Sequence, residues 1–161
     1  MIEIRKTTRF DLDRVMEIYA LAKSFMDASG NPTQWKVGYP YRDMIEEDIE
    51  NGESYVVLED GEIHGVFMFM QRVEKTYAYI EGGAWLNDLP YGTIHRVAGD
   101  GKIKRMFDEV VKFCRLTTKN LRIDTHHDNT VMQNAIERNG FVRCGIIYVE
   151  NGTPRIAYQT P

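Results

Sequence analysis

The sequence predicts an α/β (mixed α+β) protein with a central mixed sheet of about six to seven strands and about four helices. Short runs alternate apolar and polar residues, which is the period of a half-buried strand. Longer segments repeat apolar residues at helical spacing. In the second half of the chain a strand, a helix and a strand follow one another, an order typical of a parallel pair joined by a crossover helix.

The chain begins with a predicted strand and helix. Ile2 and Ile4 alternate with polar neighbours, as expected of a strand with one buried face. Thr8 and Asp11 have the spacing of a capping box at a helix N-terminus. Apolar residues then recur at helical intervals as far as Met26. We therefore expect the first helix to cover residues 11–26.

A second, shorter helix and a hairpin follow. The helix is expected to begin near Tyr41 and to end at Asn51-Gly52, because such a pair suits a helix C-terminus. Strand-like runs at residues 55–58 and 63–70 flank Asp60-Gly61. Both residues of that dipeptide tolerate positive φ, so the sequence predicts a tight hairpin turn.

The second half of the chain combines five further strand-like runs with two helices. One helix begins near Lys102 and carries an apolar stripe from Ile103 to Cys114. The other covers residues 130–139 and is followed by Gly140, a residue suited to a left-handed C-terminal cap. The predicted strands cover residues 77–80, 93–98, 121–125, 141–149 and 155–159.

Length and charge favour one folded domain covering residues 1–161. A chain of 161 residues buries one hydrophobic core and is short for two full domains. The formal net charge of −4, with acids and bases mixed along the chain, provides no basic face for nucleic-acid phosphates. We therefore expect no nucleic-acid partner.

Cysteine usage and the N-terminus indicate a cytoplasmic protein. Cys114 and Cys144 are the two cysteines, too few for the disulfide framework of a small secreted domain. The first residues lack the apolar core of a signal peptide, and no apolar run approaches membrane-spanning length. We expect neither secretion nor a membrane partner.

The most informative segment is Arg96-Val97-Ala98-Gly99-Asp100-Gly101-Lys102-Ile103-Lys104. It passes from a strand through a glycine-bearing turn into a helical stripe. Glycines let the backbone approach a phosphate, and free N–H groups at a helix N-terminus attract anions. A Gly-Asp-Gly sequence also suits an ordinary turn, and Asp100 would repel a phosphate if its side chain pointed inward. On this segment alone both interpretations stay open.

In these residues the chain resembles the GNAT superfamily of N-acetyltransferases. The likeness covers nearly the whole chain, in the order β-α-α-β-β-β-α-β-α-β-β. Residues 96–101 are similar to the family's Q/R-x-x-G-x-G/A loop. The segment 121–129, which ends Asp124-Thr125-His126-His127-Asp128-Asn129, resembles the next strand and turn, and Gly140-Phe141 matches the pair that closes the following helix. The resemblance implies the GNAT-like acyl-CoA N-acyltransferase fold.

The resemblance also implies acetyl-CoA as cosubstrate. Its pantetheine arm would follow residues 94–97, and its pyrophosphate would lie on residues 99–104. The glycines follow Val97 more closely than in common family members, which leaves the register of the phosphate contacts open by a residue or two. The residues expected at the cofactor are His95, Arg96, Val97, Gly99, Asp100, Gly101, Lys102, Ile103, Lys104 and Asn129.

The implied reaction is transfer of an acetyl group to a primary amine of a small molecule or peptide. Family members stabilise the thioester oxyanion with a backbone N–H, which would fall near Val97. Glu81 and His95 are the candidates for proton removal, directly or through water. Histidine has an ordinary pKa of about 6.5 and is a ready base at neutral pH. Many relatives use a carboxylate in this region, which favours Glu81.

A further position separates an enzyme from a binding module. Many family members carry a tyrosine four residues before the closing Gly-Phe, where it protonates the departing thiolate; here Ile136 stands at that position. Ile136 also belongs to an apolar helical stripe, so we predict that it packs in the core. A noncatalytic acyl-CoA-binding sensor or scaffold module is therefore an alternative to the transferase.

Three remaining groups have a structural as well as a functional interpretation. Trp35, Tyr39 and Tyr41 lie between the first two helices and either line the acceptor site or pack in the core. His126 and His127 are adjacent, and neighbouring side chains of an extended segment point to opposite sides, so we expect no metal. Trp85, with the leucines after it, either covers the core or forms a homodimer contact.

Overall fold

A computed structural model describes every residue from Met1 to Pro161. The strands are β1 (Ile2–Lys6), β2 (Ser54–Glu59), β3 (Glu62–Met70), β4 (Gly92–Gly99), β5 (Leu121–Thr125), β6 (Val142–Tyr148) and β7 (Pro154–Gln159). The helices are α1 (Leu12–Ala28), α2 (Arg42–Glu50), α3 (Met106–Cys114) and α4 (Thr130–Arg138). The seven strands form one sheet in the order β1-β2-β3-β4-β5-β7-β6. The mixed α/β class and the strand and helix numbers predicted from the sequence are confirmed.

Local sequence explains why these elements begin and end where they do. The backbone N–H and the hydroxyl of Thr8 both donate to Asp11 Oδ2, at 2.7 and 3.0 Å, just before α1. Asp60 and Gly61 have φ values of 52° and 84°, which suits the tight turn between β2 and β3. At the end of α4, Gly140 has φ of 86°, as its predicted capping role requires.

Two predicted elements were wrong. Residues 77–80 are not a strand: a short 3-10 turn, Lys75–Tyr77, carries the Tyr77 ring into the core, and only Glu81 pairs with a strand, opposite Ile146. The helix expected near Lys102 begins at Met106. Arg105 precedes it with φ of 54°, a left-handed conformation that cannot continue a right-handed helix.

The sheet is covered on both faces. Helices α3 and α4 pack on one face, in a core that includes Phe67, Ile94, Val110 and Ile136. Helices α1 and α2 pack on the other face against β2 and β3. Beyond β5, residues around Tyr77 and Trp85 cover that second face. None of the helices combines the length and apolar character needed to cross a membrane.

The one parallel pair in the sheet is short. β4 pairs with β5 only through Gly92 with Leu121 and Thr93 with Arg122, whereas the other neighbours are antiparallel. From His95 onward the two strands have no ladder between them. The sheet therefore opens like a V along the C-terminal half of β4.

Candidate active site

A cleft of about 410 Å³ lies along the C-terminal half of β4. Val97 to Gly99 contribute from the strand, and α1, the start of α3 and the first turns of α4 contribute from its sides. The lining is mostly apolar, with Leu21, Phe25 and Met26 from α1 and Val131 and Met132 from α4. A long, apolar cleft beside an open strand suits a slender ligand.

The loop between β4 and α3 carries a group of free backbone donors. The amide of Lys102 donates to Asp100 Oδ1, at 3.0 Å. The N–H groups of Gly101, Ile103, Lys104, Arg105, Met106 and Phe107 have no acceptor within the protein. Lys102, Lys104 and Arg105 are exposed around them. Free N–H groups next to a helix N-terminus, with basic side chains around them, are suited to binding an anion.

Two glycines seat the start of α3 against the sheet. Gly65 of β3 and Gly99 of β4 are cross-strand partners. A Cβ atom on Gly65 would lie 2.2 Å from Met106 Sδ, and one on Gly99 would lie 3.1 Å from the same sulfur. The absence of both side chains lets the first residue of α3 approach the strands closely. This contact places the free N–H groups at the end of the cleft.

The carboxylate of Asp100 is turned under this loop. Its Oδ2 accepts hydrogen bonds from Arg14 and from His64 Nδ1, both at 2.7 Å. Burial acts to raise the pKa of Asp100, but the bonds from His64 and Lys102 and the charge of Arg14 outweigh it and lower the pKa. Asp100 is therefore a buried, charged anchor of the loop.

A β-bulge shapes the middle of β4. Val66 pairs with Ala98 and Met68 pairs with His95, so Arg96 and Val97 together face a single residue of β3. Arg96 has φ of 49°, and its carbonyl accepts a hydrogen bond of 2.9 Å from the Tyr19 hydroxyl. A bulge removes backbone groups from the regular ladder and redirects them. Here it does so beside the cleft.

His95 and Asp124 lie at the vertex of the V, two residues beyond the last paired residues of β4 and β5. His95 Nδ1 is 3.9 Å from Asp124 Oδ2, and His95 Nε2 is 3.8 Å from Glu74 Oε1. Burial acts to raise the pKa of Glu74, but His95 and the Thr76 hydroxyl outweigh it and lower the pKa to about 2. An imidazole thus lies between two carboxylates, on the face that α1 and α2 cover.

The fold is shared with known acetyltransferases. A GNAT-family acetyltransferase of Streptococcus agalactiae is 29% identical, covers 99% of this chain and 94% of its own, and superimposes with a TM-score of 0.87. The chain has the fold of this GNAT-family acetyltransferase. A GNAT-family acetyltransferase of Listeria monocytogenes, 17% identical with a TM-score of 0.71 over 99% of this chain and 94% of its own, shares the fold.

A third structural neighbour has a named acceptor. The ribosomal-protein-S18-alanine N-acetyltransferase of Escherichia coli is 13% identical, with a TM-score of 0.59 over 100% of this chain and 94% of its own. At that identity the likeness shows the fold alone. No protein-family model matches the chain, and no curated protein matches it.

The cleft is lined by some of the residues predicted to contact the cofactor. Val97, Gly99, Asp100, Gly101, Ile103 and Asn129 line it. Lys102 and Lys104 are exposed beside the free N–H groups. The side chains of His95 and Arg96 turn to the opposite face: Arg96 pairs with Asp48 at 2.7 Å. Any contact of these two residues with a molecule in the cleft is therefore made by the backbone.

The sequence motif is displaced from the loop that it was expected to form. Arg96 to Gly99 belong to β4, so the first four residues of the R-x-x-G-x-G match lie in a strand. The connection to α3 runs from Asp100 to Arg105, and its positive φ values fall at Gly101 and Arg105. The N–H groups without an acceptor therefore lie C-terminal to the glycine of the strand, at residues 101 and 103–107.

Glu81 lies apart from both the cleft and the vertex. It is exposed and pairs with Ile146 at the outer edge of the sheet, beyond β6. Its carboxylate accepts hydrogen bonds from the hydroxyls of Tyr148 and Tyr79. Both bonds lower the pKa of Glu81, and the bond from Tyr148 has the larger effect. The structure does not bring the two candidate bases, Glu81 and His95, together.

The three aromatic residues proposed for the acceptor form a row. The ring centroids of Trp35 and Tyr39 are 5.6 Å apart, and those of Tyr39 and Tyr41 are 6.0 Å apart. Trp35 is buried against Tyr19 and belongs to the α1 core, whereas Tyr41 is 46% exposed. The Tyr39 hydroxyl accepts a 3.4 Å hydrogen bond from Arg96. Packing explains Trp35, and Tyr39 and Tyr41 remain acceptor candidates.

His126, His127 and Asp128 come close enough to be compared with a metal site. His126 Nδ1 accepts from the Asp128 amide at 3.0 Å, and its Nε2 lies 3.3 Å from the Thr33 hydroxyl. Both ring nitrogens of His126 therefore have protein partners. The His126 and His127 rings stack with their centroids 4.3 Å apart, so the expectation that they point to opposite sides was wrong. This arrangement orders the turn before α4.

The turn after residue 84 covers the core with Trp85 and exposes two leucines. The Trp85 ring lies over Tyr77, with centroids 4.9 Å apart, and the Arg122 guanidinium lies 4.1 Å from its centroid. Trp85 therefore covers the core. Leu86 and Leu89 are 45% and 63% exposed, and a homodimer contact through them stays a prediction.

Several site residues were not found from the sequence. Glu74 and Tyr77 lie in a segment read as loop and strand, and Arg14 and His64 lie on elements assigned only to the core. Phe25 could have been found from the sequence, because it is an aromatic residue of α1 that lies outside the buried apolar stripe. Its exposed fraction is 58%. Glu74 and Tyr77 come close to His95 only because the segment that carries them crosses a face of the sheet.

Proposed function

We propose that this GNAT-fold protein transfers an acetyl group from acetyl-CoA to a primary amine of a small molecule or peptide. One observation carries the proposal: β4 has an anion-binding loop at its C-terminal end and an imidazole between two carboxylates at the vertex of the V. A pyrophosphate at the first and an amine at the second would lie at the two ends of the unpaired half of β4. Neither feature alone would specify acyl transfer.

The cleft residues fit the cosubstrate. The free N–H groups of residues 101–107, with Lys102, Lys104 and Arg105 around them, would hold the pyrophosphate. The pantetheine arm would follow the unpaired part of β4, where Val97 and the apolar residues of α1 and α4 line the cleft. The bulge at Arg96 and Val97 would direct a backbone N–H toward the thioester oxygen.

His95 is the residue that we assign to proton removal. The thioester supplies an electrophilic carbon; the amine nitrogen forms the C–N bond as the C–S bond breaks, and the amine loses a proton. Asp124 lies on the Nδ1 side of the ring, which favours the tautomer with the proton on Nδ1 and a lone pair on Nε2. Glu74 on the Nε2 side would stabilise the positive charge that forms there.

This assignment reverses the preference for Glu81. Glu81 is exposed, is held by two tyrosine hydroxyls and has a lowered pKa, and each of these weakens a general base. His95 is at the vertex, next to the bulge. A base must be within reach of the proton that it removes, and His95 directly precedes the bulge that would hold the thioester.

The departing thiolate has no phenol in the cleft. Ile136 is fully buried among the α3 and α4 core residues, as predicted, and no tyrosine lines the cleft. A thiol with an ordinary pKa of about 8.5 leaves as a thiolate near neutral pH and takes its proton from water. Replacement of the family's tyrosine is therefore compatible with turnover.

The test is thiol release from acetyl-CoA across a panel of polyamines, amino acids, aminoglycosides and peptides, with acetyl-CoA affinity measured by calorimetry. Acceptor-dependent release would support the transferase and identify its acceptor class. If acetyl-CoA does not bind, the proposal fails. Tight binding without release for every acceptor would favour the noncatalytic acyl-CoA sensor or scaffold instead.

A further inference from the structure

The anion-binding loop begins with a negative charge. Asp100 lines the same cleft as Gly101 and Ile103, and its side chain is only 4% exposed. One oxygen, Oδ1, accepts from the Lys102 amide at 3.0 Å. A carboxylate so close to a phosphate would repel it, and water screens little in a buried position.

The second oxygen of Asp100, Oδ2, faces hydrogen-bond donors from two other elements. Arg14 of α1 and His64 of β3 each lie 2.7 Å from Asp100 Oδ2. The Arg14 guanidinium is itself fixed by a 3.0 Å bond from Nε to the Ile63 carbonyl and by contact with Glu17. His64 is buried, and its Nε2 lies 3.7 Å from Glu62.

The arrangement also sets the direction of the carboxylate. Because Arg14 and His64 hold Oδ2 beneath the loop, Oδ1 takes only the Lys102 amide. The N–H groups of residues 101 and 103–107 therefore have no acceptor within the protein. Without these two partners the carboxylate would be free to rotate and accept from the neighbouring amides, as aspartate side chains commonly do in turns.

We propose that Arg14 and His64 are positioning residues for the pyrophosphate of acetyl-CoA: they neutralise Asp100 and keep its carboxylate away from every loop amide except that of Lys102. The inference deepens the proposed function and rests on it. It assigns cofactor affinity to two side chains that act through Asp100. Their loss should raise KM for acetyl-CoA and leave kcat nearly unchanged.

The experiment compares acetyl-CoA affinity by calorimetry, and KM and kcat where turnover is found, in Arg14→Gln, His64→Leu and His64→Asn. We expect Arg14→Gln and His64→Leu to weaken binding about tenfold, which is about 1.4 kcal/mol, with kcat within about twofold. Asparagine can donate from a position close to that of Nδ1, so His64→Asn should recover most of the affinity. Arg143→Gln removes one exposed positive charge from β6 and should leave binding within about twofold.

A double-mutant cycle with Asp100→Asn gives the decisive result. If Arg14 acts through the Asp100 charge, Arg14→Gln should change affinity by less than about twofold when asparagine already stands at 100. An unchanged tenfold loss in that background would overturn the proposal, since Arg14 would then act without Asp100. Equal losses for leucine and asparagine at His64 would also overturn it, because the donor would not matter.

Failure of the proposed function has a different outcome. If the wild-type protein does not bind acetyl-CoA, both proposals fall. If the wild type binds and Arg14→Gln binds equally well, only the role of Arg14 and His64 is refuted. Thermal unfolding of each variant shows whether a loss of affinity accompanies a loss of folded protein.

Discussion

The Tyr77 hydroxyl donates a hydrogen bond of 2.7 Å to Oδ2 of Asp124, the same oxygen that faces His95 Nδ1 at 3.9 Å. Tyr77 is held in turn by the Trp85 indole, whose N–H donates to the Tyr77 carbonyl at 2.9 Å. The segment that crosses the sheet face therefore fixes the carboxylate that lies beside the imidazole. This relationship makes the 71–91 segment part of the proposed catalytic machinery.

The first prediction separates the two candidate bases. His95→Gln should lower kcat at pH 7 by about 10² or more, the usual contribution of a general base. Glu81→Gln should keep kcat within about threefold, because Glu81 lies at the outer edge of the sheet. Steady-state kinetics with the acceptor found by the panel would measure both. A large loss for Glu81→Gln with little loss for His95→Gln would reverse the assignment.

The second prediction tests the orientation of the imidazole. Asp124→Asn should lower kcat by about tenfold or more, since an amide can donate to Nδ1 and so favour the wrong tautomer. Tyr77→Phe leaves the carboxylate and removes one hydrogen bond, so its effect should be smaller. Unchanged acetyl-CoA affinity in both variants would locate the defect at the vertex. Equal losses of kcat in the two variants would contradict this order.

Much of the fold follows from local sequence, and the site follows only in part. Asp60-Gly61 and Gly140 have the positive φ values that their residue types favour, so turn chemistry was sufficient there. The apolar stripe of α1 likewise predicted Leu12, Val15 and Tyr19 on the buried side. These features depend on residues close together in the chain.

The rest depends on contacts between distant segments. Nothing in the neighbourhood of Arg105 indicates that a bulky residue adopts φ of 54° there, because the seating of Met106 on Gly65 and Gly99 determines where α3 begins. In the sequence alone Asp100 is unfavourable for an anion site. The residues that face it, Arg14 and His64, lie 86 and 36 residues away in the chain. Tyr77 alternates like a strand residue, yet its segment crosses the sheet face.

The third prediction concerns Arg105. A non-glycine residue in the left-handed region costs about 1 kcal/mol or more, so Arg105→Gly should stabilise the protein by up to about 1 kcal/mol after the larger unfolded-state entropy of glycine is counted. That corresponds to a rise in Tm of about 2–4 °C. Lys104→Gly is the matched control: it removes the same charge where φ is not positive. Equal or lower stability of Arg105→Gly than of the control would contradict the argument.

The fourth prediction concerns the docking of the 71–91 segment on β6. A Cβ atom on Gly83 would lie 1.9 Å from the Cys144 carbonyl oxygen, a backbone atom that cannot rotate away. Gly83→Ala should therefore destabilise the protein by about 2 kcal/mol or more. At Gly82 a Cβ meets nothing within 4 Å, although φ is 72°, so Gly82→Ala should cost only about 1 kcal/mol. Urea unfolding would measure the free energy of unfolding of both variants. Similar losses would contradict the prediction, because they would show that the backbone moves to accommodate a Cβ at position 83.

The last prediction uses the lowered pKa of Glu74. A carboxyl group whose pKa falls from 4.5 to about 2 on folding contributes stability that is fully present above pH about 4.5 and is lost as the pH falls toward 2. Because the side chain is 19% exposed, we expect about 1–2 kcal/mol rather than the full value of the shift. Glu74→Gln should remove this contribution.

The free energy of unfolding of Glu74→Gln should therefore lie below that of the wild type at pH 6, and the two should converge as the pH is lowered from about 4.5 toward about 2. Urea unfolding at fixed pH values measures the difference. Glu150→Gln, at an exposed position after β6, is the control and should keep a constant difference from the wild type. A gap between Glu74→Gln and the wild type that stays constant with pH would mean that the glutamate stabilises the fold by packing and not by its charge beside His95.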